Sequence, residues 1–130
     1  MGSKITTKRE NTSILVIDDQ PHLQQYLSEE FTDEMFNIYG VRDTKSALEY
    51  VKDRKPDLVI LELYIEGFEG WEMLHYIKTR YPCVPVLIVT AYDNYSADPR
   101  VFKADGYMVK DFSCLNQLKK RITDLLMVSV

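Results

Sequence analysis

The sequence predicts one α/β domain, a doubly wound sheet of five parallel strands with helices on both faces. Short apolar segments alternate with amphipathic helical segments five times in 130 residues, which is typical of repeated strand–helix units. Three of the apolar segments show no polar alternation, as expected of strands that are buried on both faces. Connections between parallel strands are right-handed, and this handedness places helices on both faces of the sheet.

The composition is that of a globular domain and excludes several classes of function. Hydrophobic residues make up 45% of the chain, and the net charge of −4 provides no basic surface for direct nucleic-acid binding. No apolar stretch is long enough to cross a bilayer, and the N-terminus lacks the apolar core of a signal peptide. We therefore predict a cytoplasmic protein with no membrane contact. Cys83 and Cys114 match no metal-binding spacing and are predicted to be free thiols.

The predicted elements follow one another without internal linkers or repeats. Residues 1–12 are polar and charged, so we predict a poorly ordered lead-in before a single domain over 13–130. The elements of that domain are a strand over 13–17, a helix over 21–31, a strand over 36–41, a helix over 44–54, a strand over 58–61, a helix over 71–80, a strand over 86–90, a short helix over 99–104, a strand over 106–109 and a final helix capped by Ser113.

Prolines, capping residues and helical spacing delimit the helices. Pro21 suits a first helical turn, where its missing N–H group costs nothing. Asp43 or Thr44 caps the second helix. Pro99 is unfavourable inside a helix, so the fourth helix is predicted to be short, with Asp98 as its cap. The predicted inward-facing helical residues are Leu23, Tyr26, Leu27, Phe31, Ala47, Leu48, Val51, Trp71, Leu74, Ile77, Lys78, Leu115, Leu118, Ile122, Leu125 and Leu126.

Polar side chains stand at the C-terminal ends of four strands. Asp18 and Asp19 follow the first strand, and Glu62 follows the third. Thr90 ends the fourth strand, and Lys110 follows the fifth. Because the C-terminal ends of parallel strands lie at one edge of a sheet, these side chains are expected to converge. Hard carboxylate oxygens suit Mg²⁺, whereas a hydroxyl and an ammonium suit phosphoryl oxygens. The sequence therefore predicts a phosphoryl-binding site with Mg²⁺ on one side.

These segments resemble the receiver domain of two-component response regulators, over essentially the whole chain from Ile14 onward. The residues that carry the resemblance are Ile17, Asp18, Asp19, 56–61, Gly67, Gly70, Val89, Thr90, Ala91 and 106–110. The resemblance implies a flavodoxin-like sheet with the strand order 2-1-3-4-5. It implies that Asp19, Glu62 and the main-chain carbonyl of Tyr64 bind Mg²⁺. Asp18 then acts mostly through water.

The resemblance also implies how such a domain signals. Position 62 is the phosphoacceptor, and Thr90 and Lys110 contact the phosphoryl group. Tyr107 is similar to an aromatic switch that turns inward when Thr90 is drawn toward that group. The output surface comprises the fourth helix, the fifth strand and the fifth helix. The implied partners are a sensor histidine kinase or phosphotransfer protein, an output domain or downstream protein, and a second copy in a homodimer.

Position 62 departs from the family, because Glu62 stands where the family has an aspartate. The extra methylene lengthens the arm by roughly 1.5 Å, and a positional error of about that size can slow an in-line reaction ~100-fold. Three interpretations follow. Glu62 imitates the phosphorylated state by holding Lys110 or Thr90, or it marks a phosphorylation-independent pseudo-receiver that serves as a docking module, or it accepts phosphate weakly.

Further departures surround the predicted site. Glu66 replaces a proline of the family and adds negative charge at the mouth of the site. Asp111 replaces a cis-proline, and since a non-proline cis bond is costly, a trans bond is expected after Lys110. Tyr64 and Tyr92 either lean over the pocket or are ordinary exposed tyrosines.

Two enzyme or cofactor classes on related folds fit less well. An acid-nucleophile phosphatase is disfavoured because the first strand lacks an Asp-x-Asp spacing and no cap insertion is present. A flavin-binding flavodoxin is disfavoured because no hydroxyl- and glycine-rich loop follows the first strand. We therefore predict a signalling domain that is not an enzyme.

Overall fold

The computed structural model describes residues 12–31, 36–92, 95–111 and 115–128. Within these ranges the chain forms strands, α-helices and one short 3₁₀ helix in strict alternation along most of its length. In chain order they are β1 (Thr12–Ile17), α1 (His22–Glu30), β2 (Phe36–Val41), α2 (Thr44–Arg54), β3 (Leu58–Leu61), β4 (Tyr64–Ile65), β5 (Phe68–Glu69), α3 (Trp71–Arg80), β6 (Val86–Thr90), the 3₁₀ helix (Pro99–Lys103), β7 (Gly106–Val109) and α4 (Leu115–Val128).

The main sheet is parallel throughout and has the order β2-β1-β3-β6-β7. This order confirms the predicted doubly wound α/β fold and the order 2-1-3-4-5, once the small β4–β5 hairpin is set aside. Ile17 pairs with Val41 on one side and with Leu61 on the other, and Thr90 pairs with Val109. The strands therefore end in register, and the residues that follow them lie at one edge of the sheet.

Two apolar cores cover the two faces of the sheet. On one face β3 and β6 pack against α2 and α3, and on the other face they pack against α1 and α4. All four residues of β3 are fully buried, as predicted from its unbroken apolar run. No helix in the described ranges is both long and apolar enough to cross a membrane.

The caps of α2 and of the 3₁₀ helix agree with the sequence. Asp43, rather than Thr44, caps α2, because its carboxylate accepts a hydrogen bond from the Ser46 N–H at 2.7 Å. Asp98 accepts a hydrogen bond from the Arg100 N–H at 2.9 Å, so the predicted short helix begins at Pro99. It is a 3₁₀ helix rather than an α-helix. The predicted Ser113 cap, like Cys114, lies outside the described residues.

The segment between β3 and α3, for which no element was predicted, contains a hairpin. Tyr64 and Ile65 of β4 pair antiparallel with β5, and the turn between the strands is Glu66-Gly67. Both turn residues have positive φ angles, 56° and 81°, as tight hairpin turns require. A further difference is that β1 begins at Thr12, one residue before the predicted start of the domain.

Candidate functional site

The main chain continues the sheet ladder past the strand ends and so fixes where the site side chains begin. The Glu62 N–H donates a hydrogen bond to the Ile17 carbonyl at 2.9 Å, and the Lys110 N–H donates to the Thr90 carbonyl at 2.6 Å. Asp18, Glu62 and Thr90 are buried. The sheet therefore delivers these side chains to the same edge, where the strand order of the sequence analysis placed them.

A single ammonium group bridges two buried carboxylates in this site. Lys110 Nζ lies 2.5 Å from Asp18 Oδ2 and 3.1 Å from Glu62 Oε1. The side chains of the two acids are 2% and 4% exposed, whereas that of Lys110 is 23% exposed. Charge-assisted hydrogen bonds in a buried setting are among the stronger polar interactions, so Lys110 holds β1, β3 and β7 together at their ends.

Burial sets the protonation behaviour of this cluster. Burial raises the pKa of Asp18 above its ordinary value, and the hydrogen bonds from Lys110 and from the Gln20 N–H offset this rise only in part. Burial lowers the pKa of Lys110, but the hydrogen bonds and charges of Asp18 and Glu62 together outweigh it and leave the pKa raised. The ammonium is therefore charged near neutral pH.

Both oxygens of Glu62 are engaged by neighbouring groups. Oε2 accepts a hydrogen bond from the Tyr64 N–H at 3.2 Å. Oε1 accepts one from the Ala91 N–H at 3.2 Å, in addition to its ion pair with Lys110. The glutamate arm thus reaches across to the end of β6 and joins it to β3.

A chain of hydrogen bonds leads from Thr90 toward β7. The Thr90 hydroxyl accepts a hydrogen bond from the Tyr92 N–H at 3.2 Å, and the Tyr107 hydroxyl donates to the Tyr92 carbonyl at 3.0 Å. The predicted link between Thr90 and Tyr107 is indirect, because the main chain of Tyr92 lies between their side chains. This role of Tyr92 left no signal in the sequence, because any residue supplies the same main-chain groups.

Two tyrosines flank the site, and both remain substantially exposed. The rings of Tyr64 and Tyr92 pack edge to face with their centroids 5.3 Å apart. They are 41% and 44% exposed, so they contact each other without being buried. The peptide bond after Lys110 is trans, as expected, and no cis bond occurs in the described ranges.

Asp19 is anchored separately from the other two acids. Its Oδ2 accepts a hydrogen bond from the Glu66 N–H at 3.2 Å, which ties the end of β1 to the hairpin turn. Among the described residues, no group of three or more His, Cys, Asp or Glu side chains is arranged to hold a metal ion. The predicted direct ligand set of Asp19, Glu62 and the Tyr64 carbonyl contains two acidic side chains, with Asp18 acting through water, and it stays a prediction.

Comparison with known proteins agrees with this geometry. A family model described as the response regulator receiver domain matches residues 14–123. The probable transcriptional regulatory protein TcrX of Mycobacterium tuberculosis is 31% identical over 105 residues, which are 78% of this chain and 44% of TcrX. The haem response regulator HssR of Staphylococcus aureus is 27% identical over 100 residues, which are 75% of this chain and 44% of HssR. The chain thus spans less than half the length of these curated relatives.

A similar solved structure is the response regulator TrrA of Thermotoga maritima in complex with Mg²⁺ and a beryllium fluoride. It has a TM-score of 0.78 and 32% sequence identity, and the match covers 88% of this chain and 98% of TrrA. TrrA was also solved in complex with the histidine kinase ThkA, and that TrrA chain matches with a TM-score of 0.77. The fold, the strand-end residues and these matches lead to one conclusion: the chain belongs to the response regulator receiver domains of two-component systems.

Proposed function

We propose that this receiver regulates a partner protein or an output domain through the face formed by the 3₁₀ helix, β7 and α4. The hydrogen-bond chain from Thr90 through Tyr92 to Tyr107 supports this proposal, since it connects the pocket to β7. Phe102 on the 3₁₀ helix is 86% exposed, and its aromatic ring is a side chain of the kind enriched at protein interfaces, including one with a second copy. The phosphodonor would be a sensor histidine kinase or a phosphotransfer protein, and the setting would be cytoplasmic.

The position of Glu62 Oε1 supports a signalling state that is fixed by Glu62. This oxygen lies between Lys110 Nζ at 3.1 Å and the Ala91 N–H at 3.2 Å. The expected phosphoryl ligands at this edge are Thr90 and Lys110, so Glu62 already holds one of them. Glu62 in this arrangement acts as a built-in acid that fixes the signalling state of the domain.

A second candidate is a phosphorylation-independent pseudo-receiver that serves as an interaction module. The engagement of both Glu62 oxygens favours it, because neither oxygen is left free of a donor. Attack on a phosphodonor requires a freely positioned oxygen, and hydrogen bonds from two main-chain N–H groups and an ammonium reduce its nucleophilicity.

The oxygen donors at this edge fit Mg²⁺ in kind. The acids Asp18, Asp19 and Glu62 carry more negative charge than Lys110 compensates, and Mg²⁺ is commonly held by one or two carboxylates with several waters. Asp19, Glu62 and the Tyr64 carbonyl would hold the ion, with Asp18 acting through water. When bound, Mg²⁺ would neutralise charge on phosphoryl oxygens, while Thr90 and Lys110 would orient that group.

Intact mass separates these candidates. The chain and its Glu62→Asp variant would be incubated with acetyl phosphate, each with and without Mg²⁺, and Glu62→Ala would serve as the unreactive control. We expect that only Glu62→Asp gains a phosphoryl group and that it does so only with Mg²⁺, since the shorter arm cannot keep all the contacts of Glu62. That result would identify a working receiver whose signalling state Glu62 fixes.

The other outcomes are equally informative. If neither protein gains a phosphoryl group, the site is defective beyond position 62 and the interaction module is the better description. If the unaltered chain gains one as fast as Glu62→Asp does, the built-in role of Glu62 is refuted and the domain is switched by phosphorylation.

A further inference from the structure

A groove of about 720 Å³ lies on the face of the sheet that α2 and α3 cover. Cavities of this size are typical of ligand-binding pockets and can accept several side chains of a partner. Residues of α2, the hairpin, α3 and the 3₁₀ helix line this α2–α3 groove, among them Leu48, Ile65, Glu66, Glu72, Met73 and Tyr76. Three of these side chains are apolar, so the groove combines an apolar lining with polar groups at defined points.

The hydroxyl of Tyr76 is buried and has no hydrogen-bond partner among the described residues. Buried polar atoms in native proteins nearly always have a partner, so an unpaired hydroxyl requires an explanation. The guanidinium of Arg80 lies 5.3 Å from the centroid of the Tyr76 ring, a contact that holds the ring in place. Because this oxygen is closed to solvent in the free groove, a ligand can donate a hydrogen bond to it only when the side chains that cover it move aside.

The unpaired charges that line the groove are negative. Glu66 and Glu72 are exposed, and neither forms an ion pair within the described part of the chain. Arg100 also lines the groove, but its guanidinium is bound to both carboxylate oxygens of Asp98, at 3.0 and 2.6 Å. It also stacks on Trp71, 4.4 Å from the ring centroid. The groove therefore favours a cationic ligand.

We propose that the α2–α3 groove docks a partner protein through an arginine side chain carried on an apolar segment. The guanidinium matches the two carboxylates by charge and offers N–H donors both to them and to the Tyr76 oxygen. Apolar neighbours of that arginine would cover Leu48, Ile65 and Met73. The groove lies beside the Glu62 site and shares the hairpin with it, but docking there goes beyond the proposed signalling function.

Trp71 provides a direct readout, because it is the only tryptophan in the chain and it lines the groove. The probe is an eight-residue peptide of alternating arginine and leucine, and a peptide of alternating glutamate and leucine is its control. We expect a saturable change in Trp71 fluorescence with the arginine peptide alone. Backbone amide shifts in a ¹⁵N spectrum should move at Leu48 and Met73. The absence of both signals would overturn the proposal.

Matched variants test the charge argument. Glu66→Gln with Glu72→Gln should raise the Kd for the arginine peptide by about tenfold, as expected when two contact charges are lost. Glu29→Gln with Glu30→Gln on α1 removes the same charge from the opposite face and should change the Kd less than about twofold. Equal weakening by the two double variants would show that only net charge matters and would overturn the groove as the site.

Tyr76→Phe tests the unpaired hydroxyl. It should raise the Kd by about fivefold, the effect of one lost hydrogen bond, while the melting temperature of the free protein stays unchanged or rises. The Kd and the melting temperature together distinguish a role of the hydroxyl in binding from a role in the fold. A lower melting temperature with unchanged affinity would show that the hydroxyl serves the fold and would contradict its role in docking.

Discussion

Lys110 is the residue on which the electrostatic balance of the site depends. Lys110→Met keeps the length of the side chain but leaves Asp18 and Glu62 buried without their cation. We expect the free energy of unfolding at pH 7 to fall by about 2–3 kcal/mol, somewhat less than for a fully buried pair because Lys110 is partly exposed. Urea denaturation measures this change.

The matched control is Lys120→Met on α4. Lys120 pairs with Asp124 at 3.1 Å, but both side chains are mostly exposed, and such pairs contribute only about 0.5 kcal/mol or less. Equal losses of unfolding free energy in the two variants would show that the Lys110 bridge stabilises the protein no more than an exposed ion pair does.

The ionisation of Asp98 makes the stability of the protein depend on pH. Its hydrogen bonds with the side chain and the N–H of Arg100 lower the pKa of its carboxyl from 3.8 to about 2. A lowered folded-state pKa means that the stabilisation is present above the unfolded pKa and is lost as the pH falls toward 2. Asp98→Asn should therefore melt below the unaltered chain at pH 6, and this difference should shrink between about pH 4 and 2.

Asn is the appropriate replacement at this position because it can still cap the 3₁₀ helix, so the comparison isolates the charge. Melting temperatures across the pH range provide the measurement. A difference that stays constant down to pH 2 would mean that the cap, and not the ion pair with Arg100, carries the effect.

At the scale of elements, the connection from α3 to β6 depends on one side chain. Lys78 Nζ donates to the carbonyls of Pro82 and Val84, at 3.2 and 3.0 Å, and to Asp105 Oδ2 at 2.9 Å. The same carboxylate oxygen accepts from the Val86 N–H at 2.8 Å. Helical spacing predicts Lys78 on the apolar stripe of α3, and its ammonium group closes the loop that follows this helix.

Lys78→Met should lower the free energy of unfolding by about 1–2 kcal/mol, because it leaves Asp105 and two carbonyls without a charged donor. Chemical denaturation measures the loss, and amide exchange at Val84 and Val86 locates it. Lys52→Met on the exposed side of α2 is the control. Unaltered exchange at Val84 and Val86 would contradict the anchoring role of Lys78.

The elements that were predictable from sequence share a physical origin. β3 and β6 are continuous apolar runs, and α2 has a capping residue followed by apolar residues at helical spacing. These local patterns are enough to predict the three elements. The β4–β5 hairpin was not predictable, because a strand of two residues is too short to show a period. The strand-end residues followed from topology alone. The contacts of Glu62 with the Tyr64 and Ala91 N–H groups could not be foreseen, since main-chain donors are independent of side-chain identity.

At the scale of the whole molecule, stability should decrease from the centre of the sheet to its edges. β3 is fully buried and lies between β1 and β6, whereas β2 and β7 each pair on one side only within the main sheet. Residues that open only with global unfolding exchange most slowly. We therefore expect the slowest amide exchange in β3 and its two neighbours, and faster exchange in β2. Protection in β2 equal to that in β3 would contradict this order.

The parallel sheet also has a consequence for synthesis on the ribosome. β1 emerges before both of its partners, and one of them is β3, which follows only after α1, β2 and α2. At translation rates of about 5–20 residues per second, the apolar run from Ile14 to Ile17 therefore waits a few seconds for its second neighbour. During that interval the nascent chain presents a β-rich apolar strand of the kind that chaperones bind and that aggregates when left uncovered. A nascent chain stalled before β3 would keep that strand exposed for as long as the stall lasts.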